Sequence, residues 1–230
     1  MGFKAYLFDL DGTLAASEGL KGRALAAACV ACGGIADPNL YVDVMGEDWP
    51  TVTNHFFRNT KIAPDVHEFN EKFRAVYLQM LDQEAALTSG GFELISRAKE
   101  HGIKIGLVSS AAPWMVEKVL AKLRLDEAFD VVITQEDVSR HKPDPEAYLL
   151  ALKRLRMRPN DVLVFVDSRA GLQAAMAAGC RCVAVRHDFN VNHDLSGAIA
   201  TIGDFTEILH HVPEMPLDSD TTARPHLAAR

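Results

Sequence analysis

Ala5-Tyr-Leu-Phe-Asp9-Leu-Asp11-Gly12-Thr13-Leu14 runs from a short apolar strand straight into two carboxylates and a glycine turn. Tyr6, Leu7 and Phe8 suit a strand buried on both faces, where an aspartate is poorly tolerated without a partner. The pair at 9 and 11 therefore demands a cation. Residues i and i+2 of a strand share a side, so Asp9 and Asp11 face one site while Leu10 turns away. Two carboxylates sharing a site split their pKa values, which lets one act as nucleophile or metal ligand and the other as general acid. Gly12 lets the chain leave the strand, and the Thr13 hydroxyl can tie the turn to the carboxylates.

Past residue 90 the texture is regular. Strands are expected at 103–108, 131–134, 162–166 and 182–185, with helices at 92–101, 113–124, 145–156 and 170–178. Apolar strands spaced by helices predict an α/β fold, a doubly wound, Rossmann-like, mostly parallel sheet to which 5–9 also belongs. Residues 17–87 instead read as helical throughout. Ser17 can cap a helix running to Gly33, Asp37-Pro38 opens a turn, and Trp49-Pro50 opens another helix. Val66, Phe69, Phe73, Val76, Tyr77 and Met80 then recur at steps of three and four, one apolar helix face. The expected organisation is an α/β core of 1–16 and 88–212, an inserted helical cap domain of 17–87, and a loose tail of 213–230.

Ligands of open α/β sheets bind at the carboxyl ends of the strands. The first strand delivers Asp9 and Asp11 there, and the second delivers Ser109-Ser110-Ala111 ahead of a helix, a cradle for phosphate. After the third, Lys142-Pro143-Asp144-Pro145 presents a lysine on a stiffened turn, and the fourth ends in Asp167-Ser168. Hard carboxylate oxygens favour Mg2+ over zinc. Acids, hydroxyls, a fixed lysine and a further acid fit phosphoryl transfer, where positioning and charge neutralisation supply most of the catalysis.

Composition narrows the partners. A net charge of −7 argues against nucleic acid, whose binders need surplus cations, and a small phosphorylated metabolite remains the expected partner. No apolar run approaches a membrane span and no signal peptide is evident, so a cytoplasmic monomer or homodimer with no membrane contact is expected. Cys29 and Cys32 lie in a small-residue helical run and read as packing. The histidines, His187, His193, His210 and His211 among them, show no ligand spacing, whereas His141 beside Lys142 can line the site.

The four motifs, Asp9-Leu-Asp11-Gly12-Thr13, Val108-Ser109-Ser110, Lys142-Pro-Asp-Pro and Val166-Asp167-Ser168 with Gly171, resemble the haloacid dehalogenase superfamily over about residues 3 to 190. The helical insertion resembles the cap of the β-phosphoglucomutase-like and phosphoglycolate phosphatase-like branch. The resemblance implies that Asp9 attacks phosphorus to form an aspartyl phosphate and that Asp11 moves the proton. It implies that Ser109, Ser110 and Lys142 hold the phosphoryl group, and that Mg2+ lies between Asp9, the Asp11 carbonyl and Asp167.

Two departures stand out. Members of this branch usually carry an acid just before the fourth-motif aspartate, where this chain has Val166, and where phosphatases of a different spacing carry a second acid four or five residues later this chain has Gly171 and Leu172. Weaker magnesium binding is the implication. A cap histidine of the mutases is replaced by Lys21, which can grip an anionic substrate but shuttles protons poorly, a shift toward hydrolysis. Arg23, Arg58, Lys61, Lys72 and Arg74 can add positive charge to the cap. The leading expectation is a Mg2+-dependent phosphatase acting on a sugar phosphate or phosphoglycolate. A hexose phosphomutase, and a phospho-accepting protein with little turnover, are the alternatives.

Overall fold

Alternation of side chains along each strand decides the layering of this computed structural model, which describes residues 2–212. The tail expected at 213–230 lies outside them. Strands β1 (Ala5–Phe8), β2 (Lys104–Val108), β3 (Val131–Ile133), β4 (Val162–Val166), β5 (Arg181–Val185) and β6 (Ala200–Ile202) form one sheet in the order β3-β2-β1-β4-β5-β6. Every pairing is parallel, with Phe8 between Leu107 and Phe165. β6, three residues long, is an addition to the expected strands.

Tyr6, Phe8, Ile105, Leu107, Phe165 and Val183 point into one core, while Leu7, Val108, Ile133, Val164, Val166 and Ala184 point into the other. Helices α4 (Gly91–Glu100) and α5 (Pro113–Leu123) cover the first face, and α6 (Glu146–Leu155) and α7 (Arg169–Ala177) cover the second. With both faces closed, the strands have no polar side, which is why they read as unbroken apolar runs.

Between β1 and α4 lie α1 (Glu18–Ala31), α2 (Trp49–Thr60) and α3 (Val66–Glu84), with a 3₁₀ turn at Pro38–Asp43. α3 is capped by Asp65, whose carboxylate accepts the Glu68 N–H. Its buried seam is Phe69, Phe73, Tyr77 and Leu81, a strict step of four. Val66, expected on the apolar face, is exposed because it stands on the first turn beyond the end of that seam. The first core runs without a break from the sheet into these helices. Among the described residues no helix is long and apolar enough to cross a membrane.

Candidate active site

β1 ends at Phe8, and Asp9, the next residue, still donates its N–H to the Phe165 carbonyl at 2.9 Å and is buried. Its Oδ1 accepts the Leu10 N–H at 2.8 Å, and its Oδ2 accepts from Lys142 Nζ at 2.6 Å. Lys142 also donates to the Val108 carbonyl at 2.9 Å and lies 5.2 Å from the Tyr148 ring. The prolines that stiffen 142–145 aim this ammonium at Asp9 rather than at solvent. Burial pushes the Asp9 carboxyl above its ordinary range, Lys142 opposes that rise, and neighbouring Asp167 adds to it.

Asp167 follows β4 and is likewise buried, its Oδ1 accepting from Thr13 Oγ1 at 3.1 Å. Gly12 has φ +71°, and a Cβ there would lie 2.1 Å from Asp167 Oδ2. Only glycine lets the first motif approach the fourth this closely. Ser109, buried after β2, accepts the Ala111 N–H on its hydroxyl at 3.0 Å, while Ser110 is exposed at the edge of the same pocket. Asp9, Ser109, Lys142 and Asp167 thus meet at four neighbouring strand ends.

Asp11 faces the helical insertion. Its Oδ1 accepts from the Ser17 hydroxyl and from Tyr77 OH at 3.5 Å, and its Oδ2 lies 3.2 Å from Lys21 Nζ. Ser17 does stand at the N-cap of α1, but its hydroxyl goes to Asp11 and makes no cap bond. Lys21 also contacts Glu18 Oε1 at 3.3 Å. Burial disfavours the Lys21 ammonium, yet Asp11 and Glu18 hold its pKa well above the lysine range. Burial pushes the Glu18 carboxyl up to about 7, and its Oε2 has no hydrogen-bond partner among the described residues.

Asp9, Asp11, Glu18, Lys21, Ser109, Ser110, Lys142 and Asp167 line one cleft of about 760 Å³, and so do both tryptophans of the chain, Trp49 on α2 and Trp114 on α5. His141 and Arg74 also line it, with the Arg74 guanidinium 4.4 Å from the Trp114 ring. Of the other cap cations, Arg23 pairs with Glu84 and Lys72 with Glu68. His187, set aside on spacing, lies with Nε2 3.0 Å from Asp167 Oδ2. It is distant from every motif in sequence, and only the parallel neighbour relation of β4 and β5 brings it in.

Asp9 is buried beside a second buried carboxylate, Asp167, which adds to its cost of ionisation, and Lys142 bonds Asp9; the pair suits a further cation. Among the described residues no three His, Cys, Asp or Glu side chains gather as a metal cage. A hard cation that keeps most of its water needs one or two protein carboxylates, and Asp9 and Asp167 are there to offer them.

The chain matches the haloacid dehalogenase-like hydrolase family over residues 6–185. It is 33% identical over 211 residues to a validoxylamine A 7'-phosphate phosphatase of Streptomyces hygroscopicus subsp. limoneus, covering 90% of this chain and 96% of that one. It is 30% identical to a phosphorylated carbohydrates phosphatase of Thermotoga maritima, covering 92% and 99%. Among solved structures, CbbY from Rhodobacter sphaeroides in complex with phosphate superposes with a TM-score of 0.80 at 28% identity, covering 90% of this chain and 96% of that one. The chain is an enzyme and belongs to the haloacid dehalogenase-like hydrolases.

Proposed function

We propose that the protein is a Mg2+-dependent phosphatase that hydrolyses a small phosphorylated metabolite of the sugar-phosphate type, in the cytoplasm, through an aspartyl phosphate on Asp9. The observation that carries this reading is Lys142 Nζ at 2.6 Å from Asp9 Oδ2, with Ser109 and Asp167 on the adjoining strand ends. Asp9 attacks phosphorus, and the ester oxygen leaves with a proton from Asp11. Asp11 then takes a proton from water, which attacks the phosphoryl group and frees Asp9 and inorganic phosphate. Lys142 and the Ser109 hydroxyl hold the phosphoryl oxygens throughout. Asp9, the Asp11 carbonyl and Asp167 would hold Mg2+, which when bound neutralises charge on the phosphoryl group.

Residues 17–87 act as a cap in this reading. Ser17, Lys21 and Tyr77, all on cap helices or at their ends, contact Asp11, so the proton-moving residue answers to the position of the cap. With Lys21 held between Asp11 and Glu18, the cap group beside Asp11 is a cation rather than a neutral base, which favours hydrolysis over a mutase cycle. The cleft volume and the indoles of Trp49 and Trp114 favour a ring-bearing substrate over phosphoglycolate. A relative named for phosphorylated carbohydrates points the same way.

Acid quench during turnover of hexose phosphates, followed by peptide mass mapping, tests the covalent step. A phosphoryl adduct on Asp9, absent in Asp9→Asn, is the expected result. Turnover with no adduct under any quench time would contradict it.

A further inference from the structure

After Val185 the chain enters a short 3₁₀ turn, Asp188–Asn190, beside the site. Asn190 pins that turn from a fully buried position. Its amide donates to the carbonyls of Asp167 at 2.8 Å and Val185 at 2.7 Å, and its Oδ1 accepts the His187 N–H at 2.9 Å. The His187 backbone is therefore tied to the Asp167 backbone, and the ring is oriented by its own two contacts, to Asp167 and to the Phe189 N–H.

Its tautomer is fixed as well. Nδ1 lies 3.2 Å from the Phe189 N–H and accepts from it. A ring nitrogen that accepts carries no hydrogen, so the ring hydrogen is on Nε2. Nε2–H then donates to Asp167 Oδ2 at 3.0 Å and has no lone pair to offer a metal. Thr13 Oγ1 donates to Oδ1, so each Asp167 oxygen is held by a fixed donor and still keeps a lone pair free.

What this does follows from what is missing. At 166, where an acid was expected, Val166 is fully buried and packs into the core on the α6 and α7 face. Asp167 is the only carboxylate that β4 contributes. A lone anchor binds well only if its orientation is set in advance, because any rotamer freedom it has is lost on binding. We infer that His187 is a positioning residue: its Nε2–H locks the Asp167 carboxylate in the ligating orientation, replacing the support that a second acid would give. This rests on the metal-dependent reading above.

Calorimetric titration of the full chain with Mg2+ reads the claim without turnover. His187→Ala lowers Mg2+ affinity about tenfold or more, with the melting temperature of the metal-free protein unchanged. His187→Gln, whose amide nitrogen falls near the Nε2 position, recovers most of the loss. Unchanged Mg2+ affinity in His187→Ala overturns the inference. So does a loss that tracks a fallen melting temperature and is not recovered by His187→Gln. A wild-type preference for Zn2+ over Mg2+ that His187→Ala removes would make the ring a ligand and also overturn it. A wild-type chain that binds no Mg2+ removes the metal-dependent reading and this inference together, whereas hydrolysis with a silent His187→Ala removes only the positioning role.

Discussion

Asp11 sits where the sheet meets the helical insertion. Lys21 at 3.2 Å and the Ser17 and Tyr77 hydroxyls hold it on the insertion side. Asp11→Asn is expected to lower kcat about 10²–10⁴-fold with little change in KM, measured by steady-state phosphate release. Gly12→Ala is expected to abolish turnover and metal binding, because the added Cβ would lie 2.1 Å from Asp167 Oδ2 at φ +71°. Glu18 supplies a pH test. Its carboxyl is raised from 4.5 to about 7, so below about 4.5 folded and unfolded chains both hold the proton. Between those values only the folded chain holds it, and stability falls as pH rises through that window. Thermal melts at roughly pH 5 and 8 should show a larger loss for wild type than for Glu18→Gln. The strand-end residues were legible because strand ends can be located from apolar runs. His187 was not, since its role depends on the strand order and on the Asn190 turn.

At the scale of elements, periodicity carried most of the information. The strands alternate between two cores, and α3 buries Phe69, Phe73, Tyr77 and Leu81. Val66 shows where such reading stops, since the pattern locates a face but not where that face runs out of neighbours. β6 was missed because three residues carry too little pattern. Ser17 was read as a cap from its position, but a nearby carboxylate outcompeted the helix for its hydroxyl. Phe69, fully buried against Phe57 at 4.8 Å between ring centroids, is central to the insertion. Phe69→Ala should cost about 3–5 kcal/mol in urea unfolding.

At the scale of the whole molecule, the insertion and the sheet share one apolar core and one cleft, and the cleft is larger than a phosphate needs. Trp49 comes from the insertion and Trp114 from the helix that follows the Ser109 loop, so a substrate ring between them would read both halves. Trp114→Ala should raise KM for hexose phosphates about tenfold, the equivalent of one lost aromatic contact, and leave inhibition by inorganic phosphate unchanged. The pairing of the two tryptophans on one cleft was not legible in the sequence, because they share it only once the insertion folds over the strand ends. The most direct test of the account is release of inorganic phosphate from a panel of sugar phosphates and phosphoglycolate, with and without Mg2+, for wild type and Asp9→Asn. Mg2+-dependent release from the sugar phosphates that Asp9→Asn abolishes is the predicted result. Release that survives Asp9→Asn, or no release from any member of the panel with Mg2+ present, would contradict it.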